Sequence, residues 1–131
     1  MAAVVSFTDQ KPNKRSRGGS LGKLIGTWLS HTDGVATISG IPFNGTIRRI
    51  VSNPGSAAPS ANWDFTITDD DSLDLAAGLG ANRHTSNTEE FVPLKGDGTV
   101  TESPVAAVGL ISINVTNAGS GKDGVITVYY E

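Results

Sequence analysis

In the segment NWDFTIT, Trp63, Phe65 and Ile67 alternate with Asp64, Thr66 and Thr68. A strict period of two puts large apolar side chains on one face of a strand and polar ones on the other, and no helix can reproduce that division. The same alternation recurs toward the end of the chain. VAAVGLISINVTN sets Ile111, Ile113 and Val115 against Leu110, Ser112 and Asn114, and GVITVYY is built from β-branched and aromatic residues. No segment shows a convincing helical period, and glycine-rich turns separate the runs. Glycine, present 16 times, supplies the positive φ that tight turns demand. Together these features predict an all-β chain.

The length of 131 residues fits one core, because two would leave each half short of apolar surface. Reading from the start, Ala2 to Phe7 is a short strand candidate, and TDQKPNKRSRGGS after it contains no apolar residue. LGKLIGTWLSH places Leu24 and Trp28 on one face and Ile25 and Leu29 on the other. His31-Thr32-Asp33-Gly34 is a turn signal, and VATISG after it predicts a hairpin with the preceding strand. Ile41 to Gly45 interrupts the pattern. TIRRIV then resumes it with Ile47, Ile50 and Val51 out of phase, as a β-bulge would leave them. SNPGSAAPSA and NRHTSNTEE read as surface loops, LDLAAGLG as the second half of a hairpin, and the last two strands as a long terminal hairpin. The expected fold is a single-domain antiparallel β-sandwich or jelly roll of about eight strands. Residues 1–20 form an N-terminal strand and flexible basic arm, and residues 21–131 form the sandwich domain.

Charge and composition remove several function classes. A formal net charge of -3 offers no general attraction to polyanions, so nucleic acid is not the expected partner. No apolar run approaches the ~20 residues that span a bilayer, and no basic residue precedes the short apolar run at the N-terminus, so neither a membrane span nor a secretory leader is expected. The chain has no cysteine, which removes disulfides, thiolate nucleophiles and cysteine zinc sites together.

Side chains able to do chemistry are few. The two histidines, His31 and His84, fall in turn and loop segments, and no nucleophile elbow, HExxH or phosphate-binding loop accompanies them. Asp69, Asp70 and Asp71, and then Asp74, are the best metal candidates, because calcium takes several hard oxygen ligands from one loop. They lack the EF-hand spacing, however, and the expectation is a solvated turn with no metal. Asp64, Asp74 and Glu89 could supply a carboxylate pair for glycoside hydrolysis, but sequence does not fix their separation. Trp28, Trp63, Tyr129 and Tyr130 could stack on sugars if exposed, although periodicity assigns Trp63 to the core. No enzyme activity and no cofactor are expected. Lys11, Lys14, Arg15 and Arg17 cluster in the arm against the single acid Asp9, and form the candidate contact with an acidic partner surface.

The succession GTWLSHTDGVATISG, NGTIRRIVSNPGSAAPSANWDFTITDDDSLDLAAGLGANRHTSNTEE and NAGSGKDGVITVYY resembles the small virion structural proteins of tailed bacteriophages. The resemblance runs from about Leu21 onward and is most specific from Trp63 to Glu89. It is closest to the capsid decoration, or cement, proteins. It implies a β-sandwich or jelly roll that sits as a homotrimer on the outer head surface, bound to the major capsid protein and stabilising the lattice. The implied location is the virion, after synthesis in the host cytoplasm. It brings no catalytic residues. The alternative is a carbohydrate- or receptor-binding sandwich of a phage tail or head fibre, which needs Trp28 or Tyr130 in solvent.

Overall fold

The structure, a computed structural model, describes residues 6–10, 21–96 and 102–131. Its described residues form nine strands and no helix. These are β1 (Ser6–Gln10), β2 (Gly22–Leu29), β3 (Ala36–Pro54), β4 (Asp64–Thr68), β5 (Glu89–Phe91), β6 (Leu94–Gly96), β7 (Glu102–Pro104), β8 (Ala106–Thr116) and β9 (Asp123–Tyr130). All pairings are antiparallel. The chain is all-β, as its alternation and glycine content predict.

The architecture turns on β3, which belongs to two layers. Its first part, from Ala36 to Thr46, pairs with β8, and β8 pairs with β4. Its second part, from Ile47 to Pro54, pairs with β9 and β5, while β9 continues to β2 and β1. Two register shifts fit one strand to both layers. The first lies between Ile38 and Ile41, where Gly40 takes φ 69°. The second lies between Ile47 and Arg49. Each inserts a residue and resets the phase, so Ala36, Ile38, Ile41, Phe43, Ile47 and Ile50 all face inward. The second shift is the bulge expected in TIRRIV. The strand break expected at Ile41–Gly45 does not occur, because the bulges absorb the change of phase.

The layers pack face to face as a sandwich. A Cβ at Gly26 of β2 would stand 2.8 Å from Cδ1 of Ile113 on β8, so the bare glycine lies where the two layers meet closely. Trp28 meets Trp63 with ring centroids 5.2 Å apart, and Phe43 meets Tyr130 at 4.8 Å. The face of Trp63, Phe65 and Ile67 is buried as read from sequence, and so are Ile111, Ile113 and Val115; in β2 the Leu24 and Trp28 face is buried while Ile25 and Leu29 on the other are only partly covered.

Two of the three expected hairpins are replaced, and the one after β4 is reduced to a single bridge. β2 pairs with β1 and β9, not β3, and β8 and β9 lie in different layers. The turns at residues 30–35 and 117–122 are arches that carry the chain between layers, and they are bonded to each other. Ser30 N donates to the Lys122 carbonyl at 2.8 Å, Ser30 Oγ to Gly119 O, and Ala118 N to Gly34 O at 3.1 Å. Both strands flanking such a turn have a full apolar face, so alternation is the same for an arch as for a hairpin. After β4, LDLAAGLG makes one bridge, Thr68 to Asp74, and continues as turns.

β1 is an edge strand of the same layer as β2, so the sandwich includes residues before the arm. Thr8 to Gln10, which read as loop, are in that strand. Phe7 is half-exposed and backbone pairing does the holding, so no apolar alternation announces β1.

Candidate functional site

The register of β1 and β2 fixes where the arm is attached. Gln10 pairs with Lys23, and Gly22 pairs with Tyr130. The segment from 11 to 20 therefore leaves and re-enters the sandwich at the end opposite the arches. Lys11, Lys14, Arg15 and Arg17 themselves lie outside the described residues.

Around that attachment the described side chains are bound to one another. Tyr130 Oη donates to Asp9 Oδ1, tying β9 to β1. On the outer face, Tyr129 lies between Lys23 Nζ, 5.7 Å from the ring centroid, and the Arg49 guanidinium at 5.0 Å. Arg49 also pairs with Glu90 at 2.6 Å, and Arg48 with Glu131 at 3.1 Å. These exposed pairs are worth about 0–1 kcal/mol each and serve mainly to orient the side chains.

Burial first, then the hydrogen bond and negative charge of Asp9, hold the Tyr130 phenol well above the usual tyrosine range. The neutral phenol is thus favoured in the folded state. Its contribution to stability is complete below the ionisation range of an unfolded tyrosine, about pH 10, and declines as pH rises beyond it. In an alkaline absorbance titration at 295 nm, Tyr130 should remain protonated in the folded chain at a pH where the urea-unfolded chain has ionised both tyrosines. Tyr130→Phe should remove the late ionisation. Equal tyrosine titration in folded and unfolded chains would contradict this environment.

The acidic run is a turn scaffold. Asp69 Oδ1 accepts the N–H of Asp71 and of Leu73, both at 3.0 Å. Asp74 Oδ1 accepts from Ile67 N at 3.0 Å and Ala76 N at 2.9 Å, and its Oδ2 accepts from Gly78 N at 3.0 Å. Asp70 instead reaches toward β8. Among the described residues, no three acidic or histidine side chains are placed to hold a metal ion together. The calcium candidate formed by Asp69, Asp70 and Asp71 is therefore not assembled as a three-ligand site.

The other polar candidates are also bound into the framework. Asp64 accepts from Asn82 N at 2.8 Å and Asn117 Nδ2 at 2.6 Å, and Glu89 accepts from His84 N at 2.8 Å beside Arg83. His84 Nδ1 accepts the N–H groups of Ser86 and Asn87, while its carbonyl accepts from Trp63 Nε1 at 2.9 Å. His31 sits in the arch, its N–H bonded to the Val35 carbonyl. Trp28 and Tyr130 are buried, so neither provides the solvent-facing platform that saccharide stacking requires. Tyr129 is the partly exposed aromatic of that group.

Sequence reading missed the partnership of Asp9, Phe43 and Tyr130 at the end opposite the arches. Each belongs to a different strand, and only the pairing of β1, β3 and β9 brings them together. In comparisons with known proteins, no family model, no curated protein and no solved structure matches this chain.

Proposed function

We propose that the chain is a structural protein of a tailed-bacteriophage virion. It acts as a decoration protein that docks on the outer head surface as a trimer, binds the major capsid protein and stabilises the lattice. The observation that carries this reading is the placement of the arm. A segment with four cations and no apolar residue is tethered at both ends to one end of a cross-braced sandwich. Such a segment can spread over an acidic capsid surface while the body stays folded. The acidic and aromatic side chains bound into the framework favour a structural role over catalysis, and we infer no enzymatic activity.

Binding to undecorated heads of the parent phage tests this. The quadruple variant K11Q/K14Q/R15Q/R17Q should lose about fourfold or more in affinity at physiological salt, at ~0.2–1 kcal/mol per exposed charge. Its melting temperature should not change. Wild-type binding should weaken as salt rises, whereas that of the variant should respond less. Unchanged occupancy by the variant would refute the arm's role. Failure of the wild-type chain to bind heads at all would refute the decoration reading.

A further inference from the structure

The segment from Asn82 to Thr88 contains no apolar residue, so hydrogen bonds rather than burial must shape it. It runs into β5 at the arch end of the sandwich and is pinned at both ends. Arg83 N donates to the Trp63 carbonyl at 2.7 Å, and the buried Trp63 indole donates to the His84 carbonyl at 2.9 Å. Beyond the turn, Thr88 Oγ1 donates to Asn53 Oδ1 at 3.0 Å. The Thr85 hydroxyl donates to the Pro59 carbonyl and so ties the turn to the neighbouring loop of residues 55–62.

Between these anchors a single ring nitrogen closes the turn. His84 Nδ1 accepts the N–H of Ser86 at 3.0 Å and that of Asn87 at 2.9 Å. A main-chain N–H can only donate, so both bonds use the Nδ1 lone pair, and the neutral ring carries its proton on Nε2. A proton on Nδ1 converts the acceptor into a donor that faces two other donors. Both bonds are then lost. His84, Ser86 and Asn87 are exposed, so the freed N–H groups turn to water and the opening stays local.

The charged groups bonded into this region come from three elements. Glu89 accepts His84 N at 2.8 Å and lies 3.6 Å from Arg83 Nη1, both within the same segment. From β4, Asp64 accepts Asn82 N at 2.8 Å, and from β9, Asp123 accepts Ala57 N of the adjoining loop at 3.1 Å. All are carboxylates or a guanidinium, whereas histidine is the side chain that changes its charge between about pH 5 and 8.

We propose that His84 is a pH-sensitive latch. Its neutral ring holds the turn of residues 84–87 closed, and protonation at Nδ1 releases that turn while the sandwich stays folded. The device is independent of the basic arm and of capsid docking.

NMR of the full chain between about pH 8 and pH 5 tests it. The Ser86 and Asn87 amide signals should move upfield at the midpoint of the His84 ring signals and lose protection from solvent exchange, while the Ile113 amide in the core keeps both its position and its protection. His84→Asn supplies a side-chain oxygen that accepts an N–H two residues on and does not titrate, so it should hold the turn closed across the range. Glu89→Gln, which keeps an oxygen for His84 N, and His31→Gln in the arch should leave the step in place. Ser86 and Asn87 signals that ignore the His84 titration would overturn the proposal, as would shifts without loss of protection, which the ring charge alone can produce. So would a step that persists in His84→Asn or disappears in His31→Gln. Loss of Ile113 protection over the same range would mean general unfolding and would overturn it as well.

Discussion

Trp63→Ala is expected to cost about 3–5 kcal/mol, the range for deleting a buried aromatic from a core that cannot collapse around the void. Trp63 is fully buried and touches Trp28 and Phe65 with ring centroids 5.2 and 5.9 Å away. Its indole N–H also holds the His84 carbonyl, so the substitution removes packing and an anchor of the loop between residues 80 and 90. Native domains are stable by only ~5–15 kcal/mol, and the variant should be largely unfolded at moderate urea or near 37 °C. Urea titration followed by far-UV circular dichroism measures the loss. Trp63→Phe should recover much of the packing but not the hydrogen bond. A loss under 1 kcal/mol in the alanine variant would mean that this part of the core is not as closely packed as described.

Asp74→Ala should be the most damaging single change among the acidic residues of the 69–74 turn, at about 2–4 kcal/mol. Its carboxylate accepts from Ile67, Ala76 and Gly78, and charge-assisted bonds of this kind are worth roughly 1.5–3 kcal/mol before solvent takes up part of the loss. The turn it organises carries Leu75 and Ala76, both buried, against the end of β4. Asp71→Ala should shift stability by less than about 0.5 kcal/mol, because its side chain is exposed. Asp74→Asn should fall between, keeping one acceptor oxygen and presenting an amide where the other stood. Thermal melts of the three variants give the order. Equal effects from Asp71→Ala and Asp74→Ala would show that the run acts through its charge rather than through these bonds.

The two substitutions mark the border between what was legible in the sequence and what was not. Trp63 could be placed in the core because its alternation with Asp64 and Thr66 is a local property, fully expressed in seven consecutive residues. The same held for Ile111, Ile113 and Val115, and for the bulge inferred from the spacing of Ile47 and Ile50. Strand partners were not legible. A hairpin and an arch impose the same pattern on the strands they join, so Asp33-Gly34 correctly announced a turn and wrongly suggested that β2 and β3 would pair. Asp74 looked like a possible ligand or catalytic group because a carboxylate's partners are invisible when they are main-chain N–H groups. The cluster of Asp9, Phe43 and Tyr130 was unreadable for a related reason: the three stand far apart along the chain, and none sits in a motif.

The bent β3 has a consequence for biosynthesis. Its partners are β5, β8 and β9, all of which follow it in the chain, and the last two begin at Ala106 and Asp123. While the ribosome is still producing residues 55–105, β3, the longest strand among the described residues, has emerged with neither of its long neighbours. A nascent chain cut before Ala106 has no way to assemble either layer. Folding of either layer must therefore wait until β8 has been made, and until then β3 is a 19-residue segment whose inward apolar side chains need shielding. Nascent chains halted before and after β9 should accordingly differ sharply in protease resistance, with protection arriving late and in a single step.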